Sequence, residues 1–465
     1  MPREEENARI AGTARPARHA VVHRTRHTRL SHRNHMTVRW HEVLDEHDSL
    51  ATEASLPDKS SIVCRVGLLL LAGGAGAWRV REAMNATAGV LGITCSSDVS
   101  LTSIECSCFD ETGSFSEVVS LPTTGVNTER IWNMERLVRR IEAEGKTFTA
   151  GRFHELMDEI EHVKGRYAPW QAALGAAAAC AAFVFLLGGG PIEMLCAFAG
   201  AGVGGYVRRI MLDRHLTHLG CVGCGVAAAC MVYLAVQHLV GLFVPAALDY
   251  NAGYIGAMLF VIPGFPLISS GLDIAKLDLR SGGERLVYAV SIIVTATLVA
   301  WLISSFVGLR PDEFQPLGLG PVALTALRVV MSFVGVFGFS VLFNSPAPMA
   351  ATAGAVGAVA NTLRLTLVDA GVTPEAAAFA GALAAGLMAS VAVRGAGFPR
   401  ISITVPSIVI MVPGLYLYRA VYFMGTVDVV GSMEWIFRAV MIILFLPLGL
   451  GLARALTDPA WRHCN

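Results

Sequence analysis

Residues 260–265 read FVIPGF and, 150 residues later, 410–415 read IMVPGL, so Pro263-Gly264 and Pro413-Gly414 interrupt two apolar stretches at matched positions. Proline lacks a backbone donor and clashes with the carbonyl one turn back, while glycine loosens the residue that follows. Each pair therefore predicts a broken helix. The carbonyls and half-helix ends freed by such a break need partners, which a bound ion or polar solute supplies; a plain kink is the alternative at either site alone. Upstream, GAGVGGYVRRIMLDRH (200–215) aligns with GAVGAVANTLRLTLVDAG (354–371), which sets Arg208 or Arg209 near Arg364.

The composition around these breaks changes along the chain. The first 169 residues hold 21 Lys/Arg and 23 Asp/Glu, about 26% charged; the remaining 296 hold 15 and 13, about 9%. Soluble domains carry about 25% charge, so the front is ordinary soluble protein and the back is not. From Trp170 onward, apolar stretches of roughly 17–23 residues recur, the length that crosses a bilayer core of about 30 Å. Ten can be drawn: Trp170–Leu187, Pro191–Val207, Leu219–Val236, Tyr250–Ser270 and Leu286–Val307, then Gly318–Phe343, Ala347–Leu363, Pro374–Val393, Ile401–Met424 and Met433–Ala453. Gly and Ala crowd them, as close helix packing in lipid requires. Because each half has an odd number of spans, the second copy enters upside down. The predicted fold is thus a polytopic α-helical membrane protein of about ten transmembrane helices in two inverted five-helix repeats (169–308 and 317–455), ending in a tail at 456–465. Inverted repeats with interrupted helices are the mark of secondary transporters.

Loop charges orient this bundle. With the N-terminal domain in the cytoplasm, inner links carry Arg208, Arg209, Arg214, Lys276, Arg280, Arg285, Arg394, Arg400, Arg454 and Arg462, against Arg310, Arg364, Arg419 and Arg438 outside. That is a positive-inside bias.

Residues 1–58 hold nine Arg and seven His without apolar periodicity. They read as a disordered basic arm suited to anionic lipid, and Met36 offers a second start. Residues 59–168 read as a small soluble α/β domain. Two helices break at Gly73-Gly74-Ala75-Gly76, strand-like runs follow at Thr94–Leu101, Ser103–Phe109 and Ser116–Leu121, and amphipathic helices span Asn127–Glu144 and Thr149–Val163. The glycine stretch follows a helix and lacks a Lys-Ser/Thr ending, so it reads as a turn, not a phosphate loop.

Charges within or bordering apolar spans are costly and become candidates. Asp273, just after Ser269 and Ser270, is suited to carry a proton or pair with an ammonium; a capping acid is the alternative. Asp278, Glu284 and Arg285 read as solvated link residues. Arg419, beside Tyr416 and Tyr418, is suited to clamp a carboxylate, or else snorkels at an aromatic belt. Asn361, Thr362, Arg364 and Asp369 form a polar cluster closing the seventh span. The expected substrate pathway is therefore Pro263, Gly264, Ser269, Ser270, Asn361, Thr362, Pro413, Gly414, Tyr418 and Arg419, with Asp273 for proton coupling.

GAGAWRVREAMNATAGVLGI (74–93), GVNTERIWNMERLVRRIE (125–142), IPGFPLISSGLDIAKLDLRSGGERL (262–286) and VPSIVIMVPGLYLYRAV (405–421) together resemble the threonine/serine exporter family over about residues 60–455. The resemblance implies a soluble domain ahead of a ten-helix transporter in the cell membrane that expels small amino acids on the proton gradient. Split-subunit relatives imply small dicarboxylates as the alternative cargo. Arg79 and Arg130 match family positions and read as intradomain ion pairs. CSSDVSLTSIECSCFD (95–110) and the arm depart from the family pattern.

Other classes fit less well. Gly271-Leu272-Asp273 lacks the Gly-x-Gly-Asp pattern of intramembrane aspartyl proteases. The spans hold almost no His to serve a Ser nucleophile, and the front domain has no evident nucleophile–base pair, which leaves a membrane-anchored hydrolase as a weak alternative and argues against an enzyme. Repeated charged pore rings are lacking, unlike many channels. Zero formal net charge gives no sign of nucleic-acid binding. No cofactor or metal is called for: Cys221-x-x-Cys224 lacks a second pair beside it, and Cys106-x-Cys108 simply alternates. The expected partners are a small polar metabolite such as threonine or serine, protons and the lipid bilayer, with a homo-oligomer left open.

Overall fold

The computed structural model describes residues 38–463 apart from 46, 164 and 312. The first 37 residues of the basic arm lie outside the described residues. Its remainder does not behave as an arm: a short helix α1 (Trp40–Val43) buries Trp40, Leu44 and Ala51 are buried, and Leu50 bridges to Thr149. Apolar side chains that the basic composition obscured tie this stretch to the domain that follows.

That domain is built around α2 (Leu56–Ala72), which is apolar on nearly all faces and therefore sits at its centre. Ser55 caps it by accepting the Asp58 N–H at 3.3 Å. Next come α3 (Ala77–Val90), an antiparallel meander of β1 (Thr94–Val99), β2 (Ser103–Asp110) and β3 (Gly113–Ser120), then α4 (Thr128–Glu144) and α5 (Ala150–Glu161). Alternation along β2 turns Ile104, Cys106 and Cys108 inward. Ile131, Met134, Leu137, Val138 and Ile141 form the buried stripe of α4. Arg65, midway along α2, is buried and stabilised by pairing with Asp158, with Glu161 at 2.7 Å and with the His154 carbonyl at 3.1 Å. Burial beside Arg65 pushes the His154 imidazole down to about 3.

The bundle comprises α6 (Pro169–Leu187), α7 (Pro191–Asp213), α8 (His218–Gly241), α9 (Tyr254–Met258), α10 (Gly264–Ala275), α11 (Leu279–Val307), α12 (Pro321–Leu342), α13 (Ala347–Asp369), α14 (Pro374–Ala396), α15 (Arg400–Val409), α16 (Gly414–Gly425) and α17 (Val429–Thr457). Seven of these are long and apolar enough to cross a membrane, and the two bent pairs raise that to nine. The remaining predicted span, Pro191–Val207, lies in the 23-residue helix α7, which is not among the nine. The helices that hold the fifth and tenth predicted spans start earlier than those spans, α11 at Leu279 after Asp278 and α17 at Val429, where Asp428 caps the first turn.

The chain breaks where the Pro-Gly pairs stand. Segment 254–261 meets α10 at 54°, and α15 meets α16 at 49°. Pro263 has φ −82°, ψ 60°, and Pro413 has φ −81°, ψ 54°. These are inverse γ-turns, closed by Gly264 N–H to Ile262 O and Gly414 N–H to Val412 O, both at 2.8 Å. The correspondence continues downstream: α10 with α16 and α11 with α17 are each displaced by 150 residues and equal in length. Arg208 and Arg364 each lie against a glycine of the helix that follows. A β-carbon at Gly225 would fall 3.0 Å from Arg208 Cβ, and one at Gly381 would fall 3.2 Å from Arg364 Cβ.

Candidate functional site

The two breaks pack on each other. A β-carbon at Gly264 would lie 3.2 Å from Val409, and one at Gly414 would lie 2.6 Å from Leu259. Each break thus presents glycine to the residue equivalent to the one facing its partner. The gap between them is apolar, lined by Phe183, Leu259, Ile262, Phe339, Val409 and Val412, and holds only about 10 Å³. The sequence reading placed a polar opening here. Instead the γ-turns satisfy part of the backbone locally, and branched side chains close the space.

A larger space lies where α10, α14, α15 and α17 meet the N-terminal domain. This cavity, about 480 Å³, is bounded by Gly76, Trp78, Arg79, Glu82 and Glu135 from the domain and by Ser269, Asp273, Arg394, Arg400, Arg454 and Asp458 from the bundle. Small-molecule sites typically span about 300–1,000 Å³. Asp273 is buried at its floor. Its Oδ2 accepts Ser281 Oγ at 3.0 Å and faces Arg285 Nε at 3.3 Å, and its Oδ1 accepts the Ala77 N–H at 3.1 Å. Ala77 opens α3, so this carboxylate caps a helix of the neighbouring domain, where its charge suits the helix dipole. A side chain at Gly76 would place its β-carbon 2.8 Å from Oδ1, which explains glycine there.

Arg285 completes the junction. It is buried, and it donates to Ala75 O at 2.7 Å and to Ser269 Oγ at 3.4 Å. The expectation that Asp278 and Arg285 are solvated link residues fails: the Asp278 side chain is 8% exposed and pairs with Arg81, while Arg285 is 4% exposed. Docking of the domain over the link excludes water from both. The glycine-rich turn is therefore a docking element between these two parts. Thr128 N–H to Phe343 O at 3.0 Å and Trp132 Nε1 to Gly397 O at 3.1 Å add further attachments.

The other sequence candidates are dispersed. Ser270 donates to Gly282 O at 2.6 Å, joining α10 to α11; at equivalent positions Ser432 donates to Ala420 O at 2.9 Å, with donor and acceptor exchanged. Tyr418 is fully buried, hydrogen-bonded to Tyr254 and, at 3.0 Å, to Ser304. Arg419 lies over the Trp435 ring at 4.7 Å. It occupies the position equivalent to Ser269, and Trp435 that equivalent to Arg285, so each junction holds one guanidinium supplied from opposite helices. Asn361 is buried, donating to Ser332 Oγ at 2.9 Å and accepting from Arg364 at 3.2 Å. Thr362 is its half-buried neighbour. Asp369 departs from that cluster and pairs with Arg328. Arg79 pairs with Glu82 and Glu135 as expected, whereas Arg130 reaches the Glu161 backbone carbonyl at 3.4 Å.

Several residues at the site carried little signal in the sequence. Arg454 and Lys276 sit against Trp78 and Trp461 at the cavity edge, with centroid distances between 4.4 and 5.4 Å. These four residues come from three distant parts of the chain. Glu193, 2% exposed and accepting the Gly190 N–H at 2.8 Å, was legible as a lone acid in an apolar stretch.

The pattern of the family described as putative threonine/serine exporter matches residues 61–307, and a second, described as Threonine/Serine exporter, ThrE, matches residues 328–456. A probable threonine/serine exporter of Mycobacterium tuberculosis is 25% identical over 415 residues, which cover 86% of this chain and 76% of that protein. No solved structure matches significantly. The first pattern spans the N-terminal domain with α6 to α11 and the second spans most of the later helices, and on that coverage the chain is a multi-pass membrane protein belonging to the threonine/serine exporter family.

Proposed function

We propose that this chain expels threonine, serine or a similarly small amino acid across the cell membrane in exchange for protons, with the N-terminal domain in the cytoplasm. The observation that carries the reading is the 480 Å³ cavity with Asp273 at its floor and arginines around it. It is roomy and charged, and it offers both signs to a zwitterion. A carboxylate and an ammonium both find partners there, from Arg394, Arg400 or Arg454 and from Asp273 or Glu135. Substrate would enter at this face and leave past the paired Pro-Gly breaks, which form the closed barrier of the present conformation.

Reciprocal packing of the breaks supports ten spans in two inverted repeats. Contacts of residue i with j, matched by the equivalents of j with i, are those of a two-fold relation. An odd number of spans per half sets the axis of that relation in the membrane plane. The tenth span would be α7, whose charges cluster at its two ends. Efflux of labelled threonine and serine from proteoliposomes, with and without a protonophore, tests the proposal. Gradient-dependent efflux and counterflow are expected; dissipation without exchange, or no transport of either amino acid, overturns it.

A further inference from the structure

Outside the transport path, the N-terminal domain gathers thiols in one place. Cys95 on β1 and Cys108 on β2 are direct cross-strand partners, and Cys106 is the next inward residue of β2. Their sulfurs lie 3.4 Å apart for Cys95–Cys106 and 3.7 Å for Cys106–Cys108, and all three fall within 4.8 Å of one another. The buried Cys64 of α2 neighbours Cys106. Three of the nine free cysteines among the described residues thus share one spot, with Cys64 beside them. Glu117, paired with Cys106 across β2 and β3, is turned to the same face and is held by Ser60 at 2.6 Å.

A buried cysteine ordinarily packs as a small hydrophobe, and the alternation of β2 alone asks for nothing more. The inter-sulfur distances ask for more. Zinc–thiolate bonds of about 2.3 Å in a tetrahedron place sulfurs about 3.8 Å apart, close to what this cluster already adopts. Two strands supply the three sulfurs and α2 brings a further thiol beside them, which is how a structural metal staples a small domain. We infer that Cys95, Cys106 and Cys108 bind a single thiophilic ion of the zinc(II) class that draws in the neighbouring Cys64 as fourth ligand, Ser60 and Glu117 forming the surrounding polar shell. Binding replaces the four S–H protons, which pass to solvent, with four metal–sulfur bonds. The ion ties α2 to β1 and β2.

The test uses the full chain, purified under reducing conditions, stripped with chelator and titrated with cobalt(II). The expected result is one equivalent bound, with intense tetrahedral ligand-field bands and sulfur-to-cobalt charge transfer, both abolished by added zinc(II). Cys106→Ser and Cys108→Ser should each weaken cobalt(II) binding by more than about tenfold, while Cys224→Ser, at an exposed thiol in α8, leaves it unchanged. Should the serine variants not fold, alkylation of the unaltered chain decides: zinc(II) should slow labelling of Cys95 and not of Cys224. A weak octahedral spectrum, labelling indifferent to zinc(II), or a disulfide joining Cys95 to Cys106 or Cys108 overturns the inference.

Discussion

The Asp273 carboxylate accepts the Ala77 N–H at 3.1 Å, so a residue of the bundle caps the first turn of a helix 196 positions earlier. The same carboxylate faces Arg285, whose guanidinium holds the Ala75 carbonyl. One ion pair therefore fastens the glycine-rich turn of the soluble domain to the floor of the cavity.

This arrangement separates two roles by mutation. Asp273→Asn keeps an acceptor for Ala77 but leaves Arg285 buried without its counter-charge, a change that typically costs about 3–5 kcal/mol. It is expected to abolish gradient-driven efflux in proteoliposomes while the protein still inserts. Ala77→Pro removes only the donor, at a first-turn position that tolerates proline. It is expected to loosen the domain, read as faster proteolysis near residues 73–76. Unchanged efflux in Asp273→Asn would retire the coupling role.

The meeting of the breaks is a steric prediction. Gly414→Ala puts a methyl group 2.6 Å from Leu259 and should slow transport, whereas Gly264→Ala, at 3.2 Å from Val409, should be milder. Adding Leu259→Ala to Gly414→Ala opens the space and should restore most of the rate. Initial efflux rates of the two singles and the double decide it, and a double no faster than Gly414→Ala would refute close packing as the cause.

Arg419 over Trp435 offers a planar guanidinium whose geometry lysine cannot reproduce. Arg419→Lys is expected to raise the apparent KM for amino acid efflux by about tenfold with a smaller change in maximal rate, a loss of about 1.4 kcal/mol. Identical apparent affinity would leave only packing on the aromatic ring.

His154 predicts how acid affects the N-terminal domain. Its folded-state value of about 3 lies below the ordinary 6.5 because burial and Arg65 disfavour the cation. Between those values the unfolded chain binds a proton that the folded chain refuses, so stability falls as pH drops from about 6.5 toward 3, by at most about 1.4 kcal/mol per pH unit. Thermal unfolding of the full chain across that range should show the loss, and His154→Phe should flatten it. An unchanged slope would assign the acid sensitivity to other groups.

Much of the bundle was readable because its cause is local. A run of apolar residues long enough for lipid, a proline without its N–H and a strand alternating every second residue act through neighbouring positions. Hence 264–275 and 414–425 could be set in register, and the elements of the soluble domain, from the helix break at Gly73 to the helix over 128–144, emerge close to their predicted bounds.

Burial and partnership were not readable in this way. Arg285 looks like any loop cation until the turn at Gly74–Gly76 covers it, and Cys64 has no evident link to Cys106 before α2 lies across β2. The sequence by itself determined which segments become helices, where two of them break and which family pattern they follow, because those depend on hydropathy and backbone chemistry over a few residues. Only the tertiary structure decided that the breaks close on each other, that the open space lies at Asp273 and that three thiols converge with a fourth beside them. Those outcomes depend on contacts between residues far apart in the chain, whose geometry is set when separate elements pack.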